Sequence, residues 1–186
     1  FDGEKITGNA LGFAINYRDR TDDYGVVLRL RSPGFRTSNG FEKNNSTKWL
    51  KAGRGKSVYY ENHPKLLKTN YNIETVYKTN YTGVIKKQEL SLSTSSDFKN
   101  GDFFKLSGEV EEENFRGIQF DNLYEFEFAY RNQINSSLKV YNELQSRKII
   151  VRNLDNPRSS GFYQVKSYVE YRICLLYTSD AADDRL

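Results

Sequence analysis

The sequence predicts an all-β protein whose antiparallel strands pack as a sandwich, and three observations carry that expectation. Of 186 residues, 15% are Phe, Tyr or Trp, against three prolines and no methionine, which suits pleated surfaces better than helical bundles or disorder. Several stretches alternate apolar and polar side chains with the period of two that a strand requires, and no window holds a helical pattern beyond about two turns. The chain also matches itself without gaps when Asn9 is laid over Asn122 and the same offset is kept onward.

The elements follow in order. Phe13, Ile15 and Tyr17 alternate with Asn16 and Arg18, and a polar turn over residues 19–23 leads to Tyr24, Val26, Leu28 and Leu30. Further strands are expected over 56–60, 73–78, 84–93, 103–110, 138–141 and 148–152. Residues 123–131 make the clearest strand, with Tyr124, Phe126, Phe128 and Tyr130 on one side and Glu125, Glu127, Ala129 and Arg131 on the other. Tyr163, Val165, Val169 and Tyr171 close the series. Strands of this length, separated by Asn, Gly, Ser and Asp turns, point to a sandwich.

The self-match sets the domain expectation. Phe13 falls on Phe126, Tyr17 on Tyr130, Arg18 on Arg131, and Trp49 on Phe162. This period is too long for a solenoid unit, so it reads as tandem copies of a domain. Residues 1–60 are then the second half of one module, 61–72, with Pro64, a linker, 73–173 a second module, and 174–186 a non-native tail. That tail, CLLYTSDAADDRL, resembles a translated sequencing adaptor. It holds the only cysteine and a net charge of −2, so without it the chain carries +6 in place of +4 and has no thiol chemistry. The first residue is Phe1, with no signal-peptide pattern, so upstream sequence is expected to be missing.

Mean hydropathy is −0.75, and no run approaches the ~18 consecutive apolar residues of a membrane helix. On that criterion no membrane partner is expected. His63 is the only histidine, which leaves no Ser-His-Asp triad and no histidine metal site. The run 109–113 offers no defined pair of glycosidase carboxylates. An enzyme is therefore not expected. Gly53-Arg-Gly-Lys-Ser57 imitates the end of a P-loop, but Leu50 stands where the first glycine is required. Asp19, Asp22 and Asp23 are the one set with carboxylates close enough in sequence for a structural calcium, but the second copy has no matching acidic loop, and no cofactor is expected. The sequons at Asn44, Asn45, Asn80 and Asn135 matter only in a eukaryotic secretory host.

The order of a Ser-rich strand, Gly101, Leu106, the run 124–131, Val140 and Phe162 resembles the jelly-roll carbohydrate-binding modules of the galactose-binding-like type. The likeness covers residues 86–173 and, in the first copy, 9–62. The late aromatic of that family is usually tryptophan: Trp49 keeps it and Phe162 departs from it. The resemblance implies a non-catalytic glycan-binding or spacer module of a larger extracellular or virion-associated protein, such as a phage tail protein. Its partners would be a polysaccharide or cell-surface glycan, acidic or neutral, and neighbouring domains of the same chain. An accessory domain of a glycan-cleaving enzyme is a further alternative.

The ligand candidates are Asn16, Arg18, Trp49, Glu127, Arg131 and Phe162. Arg18 and Arg131 hold the same repeat position and offer planar, forked donors suited to carboxylates and vicinal hydroxyls; the competing expectation is a cross-strand ion pair from Arg131 to Glu125 or Glu127. The aromatic row 124–130 is either a stacking platform or, more simply, a core. Residues 18–56 hold ten basic side chains against four acidic ones, with Phe35, Phe41 and Trp49 between them, so single-stranded nucleic acid is the alternative ligand.

Overall fold

The computed structural model describes residues 8–35, 46–153 and 155–172. The tail 174–186 and the sequons at Asn44 and Asn45 lie outside them. Nine strands follow one another: β1 (Ala10–Arg18), β2 (Asp22–Arg31), β3 (Thr47–Tyr59), β4 (Leu66–Asn80), β5 (Ile85–Phe98), β6 (Phe103–Phe115), β7 (Ile118–Gln133), β8 (Leu138–Val151) and β9 (Arg158–Tyr171). They form a single antiparallel sheet in chain order, each strand paired with the next.

The all-β, antiparallel expectation is what the described residues form, whereas the layering differs. A sandwich needs two facing sheets, and here every described strand belongs to one. The self-match lays β1 over β7 and β3 over β9 with the same faces, but it lays β2 over β8 with the faces exchanged: Val26 and Leu28 of the apolar face fall on Lys139 and Tyr141 of the charged one. The stretch 61–72, expected as a linker, contains the β3–β4 turn and the start of β4, which pairs with both β3 and β5. The strands expected separately over 138–141 and 148–152 are one element, β8.

Strands of 13 to 16 residues from β3 to β9 are more than twice the usual five or six. Cross-strand ion pairs stabilise charged side chains in their interiors, including Lys105–Glu127 at 2.9 Å and Arg147–Glu125 at 2.9 Å. Tight turns hold the hairpins. Arg116 and Gly117 both have positive φ, 53° and 83°, as a two-residue type I′ turn demands. In the β5–β6 turn Gly101 has φ 88°, and a Cβ there would meet the Gln133 side chain.

The only buried hydrophobics among the described residues are Phe120, Leu123, Ala129 and Ile150. Phe120, Leu123 and Ile150 cluster with Phe115 near the β6–β7 turn. Among the described residues no core spans the sheet, because they form a single layer with no second one over its apolar face.

Candidate functional site

The pairing register assigns every side chain to a face. One row of directly opposed residues crosses all nine strands: Ile15, Val26, Ala52, Thr75, Leu90, Val110, Tyr124, Lys148 and Gly161. With their i±2 neighbours these residues make one face, and the alternate residues make the other. The first face carries Phe13, Leu28, Leu50, Ile73, Leu92, Leu106, Phe126, Phe128, Leu144 and Val165. The second carries the ion pairs Lys51–Glu74, Lys105–Glu127, Arg147–Glu125 and Lys166–Glu143, at 2.7 to 2.9 Å.

In β7 and β8 the apolar face is the more exposed one. Along β7, Tyr124, Phe126 and Phe128 are exposed, while Glu125 and Glu127 between them are half-buried and Ala129 is buried. Phe126 is 42% exposed, against 15% for the Glu127 side chain. In β8, Leu144 is 44% exposed, against 11% for the side chain of Glu143. In β7 and β8 the charged face is the sheltered one.

The apolar band does not follow the hydrogen-bonded row. In β1 it is centred between Phe13 and Ile15, one residue from the row on the side away from the β1–β2 turn. In β7 its centre lies between Phe126 and Phe128, three residues from Tyr124 towards the opposite side. In β9 it runs from Tyr163 to Tyr171, centred six residues beyond Gly161 in the same direction. The drift is therefore seven residues over eight strand steps. At ~3.3 Å per residue and ~4.8 Å per strand this is about 23 Å over about 38 Å, so the strands cross the band at about 31° from its normal. Tyrosines bound the band: Tyr71 and Tyr77 in β4, Tyr124 and Tyr130 in β7, Tyr163 and Tyr171 in β9, with Tyr17 and Tyr24 stacked at 4.8 Å beside the β1–β2 turn.

All six expected ligand residues lie on the charged face, but they stand on β1, β3, β7 and β9, and the sheet does not gather them into one site. Arg18 pairs with Asp23 at 2.5 Å, and Asn16 stands opposite Gly25. Arg131 pairs with neither Glu125 nor Glu127, which are engaged by Arg147 and Lys105. It donates to the Gly101 carbonyl at 3.4 Å and lies over the Phe103 ring. Trp49 and Phe162 occupy equivalent places, each beneath an arginine of the adjacent strand: Arg29 at 5.0 Å and Arg147 at 5.9 Å. Sequence reading missed Arg29, Arg31 and Lys78, which gather around Trp49 only through the register of β2, β3 and β4.

The turn carboxylates serve the turns. Asp19 accepts from the backbone N–H groups of Asp22 and Thr21 and from the Tyr17 hydroxyl, which hold it at about 2. Asp22 meets Arg54 and Asp23 meets Arg18, so two of the three turn acids are held by arginines. Burial pushes the Asp102 carboxyl up, but hydrogen bonds from the Gln133 N–H, Asn100, Tyr130 and Asn132 outweigh it and hold it below the usual range. His63 Nδ1 accepts from the N–H groups of Lys65 and Leu66, and Asn135 caps the N–H groups of Ser137 and Leu138.

Among the described residues, one acidic group brings three carboxylates within 4.8 Å of one another: Glu89, Glu109 and Glu111. Lys87 already bridges it, 2.6 Å from Glu89 and 3.1 Å from Glu111. No helix among the described residues is long and apolar enough to cross a membrane. Comparison with protein-family models, curated proteins and solved structures returned no match.

Proposed function

We propose that this sheet is part of the wall of a membrane-embedded β-barrel, its apolar face against lipid acyl chains and its charged face towards an aqueous interior. The observation that carries the reading is the inverted exposure of β7 and β8: Phe126 and Leu144 are left outside, at 42% and 44%, while the ion-paired carboxylates of Glu127 and Glu143 are sheltered. In water such a face is costly, at ~25 cal/mol per Å² of apolar surface, whereas lipid covers it. Barrel strands in membranes alternate apolar-out and polar-in, with aromatic girdles at both interfaces of an apolar band ~25 Å tall. Tyr124 to Tyr130 spans about 20 Å and Tyr163 to Tyr171 about 26 Å along their strands. The crossing of strands and band, about 31° from the same spacings, lies just below the ~35–45° tilt of barrel strands.

Membrane helices need a long apolar run because each must satisfy its own backbone. A strand needs only every second residue to be apolar, so the absence of such a run does not bear on this proposal. β1 and β9 each keep one edge unpaired among the described strands, and further strands of the same wall would add there.

A second reading retains the jelly-roll sandwich, with another sheet covering the apolar face and a glycan held on the charged one. It is favoured by the two equivalent arginine-over-aromatic pairs at Trp49 and Phe162. One experiment separates the two. The full chain, refolded with phosphatidylcholine vesicles, should float with them and resist alkaline extraction. A chain that remains monodisperse in water without detergent, leaves the vesicles behind and loses glycan binding on Arg18→Ala with Arg131→Ala would overturn the barrel reading in favour of the module.

A further inference from the structure

We infer that the apolar face holds a site for one anionic phospholipid, with its phosphate against Arg54 and Lys56 and an acyl chain in the groove over Gly108. This site rests on the membrane reading and adds to it the class of lipid that the wall selects. A cavity of about 590 Å³ opens on that face. Its axis is a row of directly opposed residues running from β3 to β7: Arg54, Ile73, Leu92, Gly108 and Phe126. The next row, Lys56, Tyr71, Thr94 and Leu106, lies alongside.

One residue makes the groove. Ile73, Leu92 and Phe126 stand out from the sheet as exposed side chains, whereas a Cβ at Gly108 would meet nothing within 4 Å. Backbone laid bare between apolar walls suits a methylene chain, which gains dispersion contacts along its whole length. The cations sit at one end of this groove, on β3, and they fix the direction of the occupant. Lys56 stands opposite Tyr71, a tyrosine that bounds the apolar band. From there the tilt of the strands carries both rows inward, to the middle of the band between Phe126 and Phe128 in β7. A lipid with its headgroup at the interface therefore sets its phosphate beside Lys56 and Arg54 and runs its chain towards Phe126. Asp22 already holds Arg54, through one nitrogen at 3.3 Å, but a guanidinium carries five donors, and the largely exposed Arg54 side chain can turn others to a phosphate. Basic side chains at a membrane surface favour anionic lipid, and zwitterionic phosphatidylcholine offers them no net charge.

Two measurements on the full chain keep this site apart from the reading it rests on. Flotation with phosphatidylcholine vesicles tests the membrane wall alone. The same chain in non-ionic detergent micelles is then titrated with phosphatidylglycerol or phosphatidylcholine, and retained lipid is counted by native mass spectrometry. One phosphatidylglycerol should be held at least about fivefold more tightly than phosphatidylcholine, and Lys56→Gln should weaken phosphatidylglycerol by about fivefold while leaving phosphatidylcholine unchanged. Gly108→Ile fills the groove with an apolar side chain that suits a strand; it should float as the wild type does and lose retention of both lipids. Lys48→Gln lies on the same face of β3 but eight residues from Lys56, about 26 Å along the strand, and should change neither lipid. A chain that floats but shows no preference for phosphatidylglycerol, is weakened equally by Lys48→Gln, or binds both lipids unaltered after Gly108→Ile overturns this site and leaves the membrane wall standing. A chain that does not float refutes both.

Discussion

An arginine scan of the apolar face tests both lipid contact and the tilt of the strands. Phe126 is 42% exposed. A fully buried phenylalanine covers roughly 200 Å², so about 80 Å² remains for lipid to cover, contributing about 2 kcal/mol. In phosphatidylcholine vesicles Phe126→Ala should therefore cost about 2 kcal/mol in urea unfolding followed by circular dichroism. Arginine near the bilayer midplane costs about 2–4 kcal/mol, falling to about 0–1 near the interfaces, whereas the same change on a water-exposed face stays within about 0.5 kcal/mol.

The sharper comparison uses two residues of the same hydrogen-bonded row. Ile15 lies inside the apolar band and Gly161 lies beyond it, because the band climbs seven residues between β1 and β9. Ile15→Arg should cost about 2–4 kcal/mol and Gly161→Arg no more than about 1. Lys148, beside Gly161 in that row, is already a charge tolerated at the predicted depth. Equal costs at the two positions, or changes at both that stay inside the small range of a water-exposed face, would refute the tilted-band argument.

Two further predictions concern the β5–β6 turn. Asp102→Asn places an amide among donors from Gln133, Asn132, Tyr130 and Asn100, and should cost about 1–3 kcal/mol in the same assay. The lowered carboxyl of Asp102 adds stability that is complete above the ~3.9 of an unfolded aspartate and is lost as pH falls through its lower folded value; acid unfolding of the wild type should steepen below pH ~4, and the asparagine variant should show less of that loss. Gly101→Ala should destabilise more than Gly117→Ala. Both glycines have positive φ, but only at Gly101 does the new Cβ meet another side chain, that of Gln133; equal melting temperatures would sink that distinction.

The candidate ligand residues were legible as a face but not as a site. Alternation puts Asn16, Arg18, Trp49, Glu127, Arg131 and Phe162 on one side of their strands, and the register keeps them there. Their separation across the sheet depends on pairings between distant parts of the chain. So does the gathering of Arg29, Arg31 and Lys78 around Trp49, which needs β2 and β4 in register on either side of β3. Strand lengths were underestimated for a related reason. Lys51 and Glu111 fall outside the strands expected over 56–60 and 103–110, yet each is paired across the sheet with a partner of opposite charge.

By itself the sequence determined that the chain is made of strands and which side chains share a face: Tyr124, Phe126, Phe128 and Tyr130 can only stand together once residues 123–131 are extended. Only the tertiary structure decided which face is sheltered. A period of two has no sign, so the same β7 residues serve a sandwich with aromatics inward or a single wall with aromatics outward. The choice falls to whether a second layer covers the apolar face. With all nine described strands in one sheet, the charged side chains close on one another and the aromatics are left facing out.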